Sequence, residues 1–181
     1  MDVADASSRR KVGTSVHITT LDGIVNVNSL FTLAVFIGLT WNPTDPLNSF
    51  VSGSSCAAGF SIAEDLVAFH VYSFSCFLFS SLVALGLKQA IRLSRGSVTY
   101  RFEIFAHINK TALRVGMLMS GAGSVCGCLF LMLALVNVVQ IKLGTLACGS
   151  SYSFAAVVPL LIFVPIGLVI YVCMVLYAFT R

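Results

Sequence analysis

The groups in this chain able to do chemistry are three histidines, six cysteines and seven acidic residues. Their spacing does not assemble them. His17, His70 and His107 fall in three separate regions, too dispersed to suggest a metal site. Cys126-x-Cys128 has the wrong interval for a zinc knuckle or a Cys-x-x-Cys redox pair. There is no His-Glu-x-x-His, no phosphate-cradling glycine loop and no nucleophile elbow. The residues therefore predict no catalytic group, no metal and no cofactor, and the chain is not read as an enzyme. What remains is polar chemistry of a quieter kind: two cysteines on one side of a barrier, a few amides inside it and a basic cluster beside it.

The barrier comes from the elements that must position these groups. Residues 23–44, 66–87, 115–141 and 143–180 carry no charged side chain. A helix needs about 20 apolar residues to cross a hydrocarbon core about 30 Å thick. The composition agrees: 57% hydrophobic and 10% charged, where soluble domains run at about 25% charged. The expectation is an all-α integral membrane protein, a four-helix bundle with spans at about 24–41, 66–87, 115–141 and 154–179. Residues 1–16 read as a flexible tail, and 17–181 as one four-span domain with no room for a second. The first span follows Arg9, Arg10 and Lys11 but is too long for a signal peptide, so it reads as an uncleaved anchor. Pro159 and Pro165 are expected to bend or loosen the fourth span.

Charge sets an expected orientation. If the N-terminus is cytoplasmic, Arg9, Arg10, Lys11, Lys88, Arg92, Arg95, Arg101, Lys110, Arg114 and Arg181 all face the cytoplasm. That is ten of the eleven basic residues, Lys142 being the exception. The positive-inside rule then predicts both termini in the cytoplasm. The Asn109-Lys110-Thr111 sequon falls on that side and should stay bare. Lys88, Arg92, Arg95, Arg101, Lys110 and Arg114 form a basic membrane surface suited to anionic headgroups. Within it, residues 101–114 alternate Phe102, Phe105 and Ala112 with basic residues. That pattern fits an amphipathic helix at the inner leaflet or an extension of the third span.

Cys56 and Cys148 lie in the two connections facing away from the cytoplasm, where a disulfide between the two helical hairpins is expected. Closing about 90 residues stabilises by up to ~4 kcal/mol in the chain-entropy view. The other four cysteines fall within spans and read as small packing residues. On the third span, Gly116, Ser120, Gly123 and Gly127 recur at helical spacing on one face. Such a face allows close backbone approach in lipid, either within the bundle or between copies. Asn26, Asn28, His70, Asn137 and Gln140 are the polar residues within spans, candidates for interhelical hydrogen bonds or for a polar path. Asp22, at the inner boundary, has Lys110 or Arg114 as its expected partner.

The segments VHITTLDGIVNVNSLFTLAVFIGLT, SFSCFLFSSLVALGLK and GSVCGCLFLMLALVNVVQIKLG resemble a group of small plant four-span membrane proteins of uncharacterised function, of the maternal-effect embryo-arrest type. The first two spans are distantly similar to the PGG-type membrane domain of plant ankyrin proteins. Asn42-Pro43-Thr44 stands where that domain has Pro-Gly-Gly, and no ankyrin repeat is present. The layout is also similar to Casparian-strip-type scaffolds, without their charged residues in spans one and three. The resemblance implies a plant source and a developmental role, not an activity.

Together these readings predict a non-enzymatic scaffold or accessory to other membrane proteins, in the plasma membrane or an endomembrane. Its partners would be the lipid bilayer, other membrane proteins or a second copy, and not nucleic acid. The alternative is a subunit of an oligomeric channel or transporter, with Asn26, Asn28, Asn137 and Gln140 lining a polar path.

Overall fold

The computed structural model describes residues 2–40, 59–96, 110–146 and 151–180. They form four helices: α1 (Asp2–Thr40), α2 (Phe60–Gly96), α3 (Lys110–Leu143) and α4 (Ser151–Thr180). Each contains a stretch long and apolar enough to cross a membrane, with mean hydropathy rising from 1.7 in α1 to 2.7 in α4. The described chain is thus an all-helical bundle with the composition of a multi-pass integral membrane protein.

The helices overrun the charge-free stretches. Segment 1–16, expected as a tail, continues α1 down to Asp2. It has no proline and only Gly13 to break it, and extending an existing helix costs far less than nucleating one. For the same reason α2 carries Lys88, Arg92 and Arg95 on its own last turns, and Lys110 and Arg114 belong to the first turns of α3. Arg101 and most of 101–114 lie outside the described residues, as do Cys56 and Cys148. Helix α4 runs unbroken through Pro159 and Pro165. Helix α3 stops at Gly144, whose φ of 98° only glycine adopts cheaply. The Gly144 N–H donates to the Gln140 carbonyl at 3.1 Å. The Ser153 hydroxyl donates to the Gly144 carbonyl at 3.0 Å, which ties the α3–α4 turn shut.

Neighbouring helices run antiparallel, and three apolar layers stack along the bundle. At the end nearest the termini, Leu21, Ile24, Ala84, Ile91 and Met117 pack together with Tyr171 against them. The middle layer holds Val35, Phe77, Cys128 and Leu131 with Phe31 and Leu168, and Phe31 stacks on Phe77 at 5.4 Å. The far layer joins Leu66, Ala134 and Ile141 with Ile62, Phe69 and Val138. Outside these layers large apolar side chains face outward, among them Leu33, Leu82, Phe163 and Val169. Lipid tails are as apolar as those side chains, so exposure supplies no drive to pack, and fit and hydrogen bonds must hold the helices together. Helices α1, α2 and α3 form the tight core. Helix α4 is peripheral, with 6% of its span buried against 33% for α3.

Candidate functional site

Between the first and middle apolar layers lies a polar cluster built on Asn28, which is fully buried. Its amide Nδ2 donates to Ser80 Oγ at 2.8 Å and to Ser81 Oγ at 3.2 Å. Its Oδ1 accepts from Ser124 Oγ at 2.7 Å. Both N–H groups and the carbonyl of the amide are therefore used. The Ser80 hydroxyl donates to the Ser120 carbonyl at 2.6 Å, and the Ser120 hydroxyl donates to the Ser80 carbonyl at 2.8 Å. One α1 amide thus joins two α2 hydroxyls and one α3 hydroxyl, and α2 and α3 clasp each other at the same level. One layer on, Ser73 donates to the Gly127 carbonyl at 2.8 Å.

Such bonds to backbone carbonyls need close backbones, and the small-residue face of α3 provides them. A Cβ built on Gly116 would meet Leu87 at 2.8 Å, one on Gly123 would meet Phe79 and Ser80 at 3.2 Å, and one on Gly127 would meet the Phe77 ring at 2.7 Å. Gly116, Ser120, Gly123 and Gly127 are therefore occupied by α2 of the same chain.

The remaining polar residues do not gather at one place. His70 is buried, and its Nδ1–H donates to the Leu66 carbonyl at 2.8 Å. Its Nε2 lies over Gly38 of α1, close enough that any side chain there would collide with it. Gln140 Nε2 donates to Asn137 Oδ1 at 3.4 Å, and the Asn137 Nδ2 is buried without a partner. Asn26, only two residues from Asn28, lies on the exposed face of α1. The two asparagines point to opposite sides because successive helical positions differ by about 100°. Within one copy of the chain, Asn26, Asn28, Asn137 and Gln140 therefore do not gather along one face. Asp22 pairs with Lys88 and not with Arg114, while the Lys110 side chain lies outside the described residues. Lys88 reads from sequence as part of a connection, but the α2 helix carries it alongside Asp22 at the same end of the bundle.

A cleft of about 300 Å³ lies between α1, α3 and α4. Its walls are apolar, including Phe31, Leu131, Phe163 and Leu168, with Ser124 and Tyr171 at one end. The Tyr171 hydroxyl lies beside Ser124 yet closes no hydrogen bond. Among the described residues no three His, Cys, Asp or Glu side chains converge to hold a metal. Comparison with protein-family models, with curated proteins and with solved structures finds no match.

The arrangement holds helices in register through neutral groups. Sequence reasoning finds Asn28 and the glycine face but misses Ser73, Ser80, Ser124 and Gly38. Serine and glycine are common in transmembrane helices, so nothing in their type marks the ones that bond. One signal was present: Ser73, Ser80 and Leu87 recur every seven residues on α2, opposite Gly127, Ser120 and Gly116.

Proposed function

We propose that this chain is a non-enzymatic, multi-pass membrane protein that acts as a scaffold or accessory to other membrane proteins. The observation that carries the reading is how the buried polar groups are spent. Asn28, Ser73, Ser80, Ser120 and Ser124 bond α1, α2 and α3 to one another, and the cleft beside them has apolar walls. A transport path would need such groups turned toward a shared aqueous space. Covalent cross-linking of the full-length protein in its native membrane, followed by denaturing purification, is expected to capture the same membrane partners repeatedly. Reconstituted protein is expected to show no conductance or solute flux. Flux that changes in Asn28→Leu or Asn137→Leu would overturn the scaffold in favour of the channel or transporter subunit.

Two finer features belong to the proposal. Both termini face the cytoplasm of a plasma membrane or endomembrane, as the distribution of ten of the eleven basic residues supports. A disulfide joins Cys56 to Cys148. Its support is that Ile62 and Ile141 pack in one cluster, so the described chain leaves α2 and α3 at the same end of the bundle. A shift on non-reducing gels, lost in Cys56→Ser and in Cys148→Ser, is the expected result; two alkylatable thiols in the unreduced protein would refute it. The plant setting and a developmental role rest on the sequence resemblance.

A further inference from the structure

We propose that α1 carries a self-association seam, in which Asn26 of two copies of this chain pair across a two-fold axis. Helix α1 has two distinct faces. Leu21, Ile24, Asn28 and Val35 are buried against the chain's own helices. The opposite face runs through Gly23, Asn26, Leu30, Leu33, Ile37 and Thr40, every one of them exposed. Their intervals of three and four residues are those of a heptad seam, the pattern that brings two helices together along their length. Leu30, Leu33 and Ile37 are 69%, 58% and 52% exposed. No atom lies within 4 Å of a Cβ built on Gly23, so a second backbone has room to approach there.

Asn26 decides what covers the seam. It lies four residues, about 6 Å along the axis, further into the apolar stretch Ile18–Thr40 than Asp22. Three outward-facing hydroxyls satisfy themselves locally. Ser29 donates to the Val25 carbonyl, Thr40 to the Phe36 carbonyl and Ser75 to the Val71 carbonyl. Asn26 makes no such bond; its amide is exposed within the apolar stretch Ile18–Thr40 with two donors and an acceptor open. Leaving them so is costly in lipid. A carboxamide is its own complement: each N–H meets the other's carbonyl, reciprocally, as a two-fold interface requires. Two copies inserted in the same orientation bring their α1 helices together parallel, with Asn26 opposite Asn26. The small-residue face of α3 is not free for this, because α2 fills it. The apolar outer face of α4, with Ile162, Ile166, Val169 and Ile170, has no amide to fix a register.

The inference stands apart from the scaffold reading, since it concerns the purified protein with itself. The test is single-molecule photobleaching of full-length, singly labelled protein in phosphatidylcholine vesicles, across a range of protein-to-lipid ratios. Wild type is expected to dimerise, Asn26→Leu to weaken the dimer about tenfold, and Asn26→Gln, which keeps the amide, to retain most of it. Helix content and migration of Asn26→Leu should match wild type, because the side chain faces outward. A monomeric wild type overturns the proposal, including the case where Asn26 serves a different protein. So does an Asn26→Leu dimer as tight as wild type, which would place the contact elsewhere.

Discussion

Replacing Asn28 by alanine tests whether the buried polar cluster holds the helices together. The change removes three hydrogen bonds at once, those to Ser80, Ser81 and Ser124. Hydrogen bonds between transmembrane helices are worth about 0.6 kcal/mol each on average and no more than about 1.7, because the unfolded state in lipid also finds partners. Three of them give about 2 kcal/mol. Asn28 is fully buried, so truncation also leaves a void that adds to the loss. The Ser80–Ser120 clasp does not pass through Asn28 and should survive. Asn28→Leu fills the void and is expected to cost less than Asn28→Ala, which separates the hydrogen-bond loss from the packing loss.

The assay is reversible unfolding in mixed micelles, by denaturing-detergent titration with helicity as the readout. The sharper measurement is a double-mutant cycle of Asn28→Ala with Ser124→Ala. A direct bond at 2.7 Å predicts a coupling of about 0.6 kcal/mol or more. The same cycle between Asn28 and Ser73, which bonds Gly127 instead, should show almost none. If Asn28→Ala destabilises by less than about 0.5 kcal/mol and does not couple to Ser124, the cluster is not what holds α1 on the core.

Three further outcomes follow from the packing. Gly127→Ala is expected to destabilise by about 1–3 kcal/mol, since its Cβ falls 2.7 Å from the Phe77 ring and Phe31 stacks behind that ring; Phe77→Leu in the same chain should recover part of the loss in the same titration. Gly38→Ala is expected to displace His70 and break its bond to the Leu66 carbonyl, which would appear as a shift in the His70 ring resonances that Gly86→Ala, facing open space, does not produce. Tyr171→Phe is expected to be neutral or slightly stabilising, because the Tyr171 hydroxyl closes no hydrogen bond; a loss of about 1 kcal/mol or more would mean that it bonds Ser124 after all.

Asn26 and Asn28 show what a sequence can tell about such a site and where it stops. The four spans are legible because excluding charge from a bilayer acts on every residue of a span at once, so a run of uncharged residues is sufficient evidence. The small-residue face of α3 is legible because close backbone approach demands the same answer at Gly116, Gly123 and Gly127. A single asparagine carries no such redundancy. Asn26 and Asn28 have the same chemistry and nearly the same depth, yet one is bonded to three serines and the other faces outward. Which is which depends on the rotation of α1 against α2 and α3. That rotation is set by distant pieces: Leu21, Ile24 and Val35 seated in the core, Gly38 giving way to His70, and Asp22 meeting Lys88. The last of these needs a helix to run past the end of its apolar stretch, which hydropathy alone does not mark. That rotation gives the two amides different roles. Asn28, a candidate for a path, becomes part of the frame, and Asn26 becomes the polar group on that face that the frame leaves unanswered.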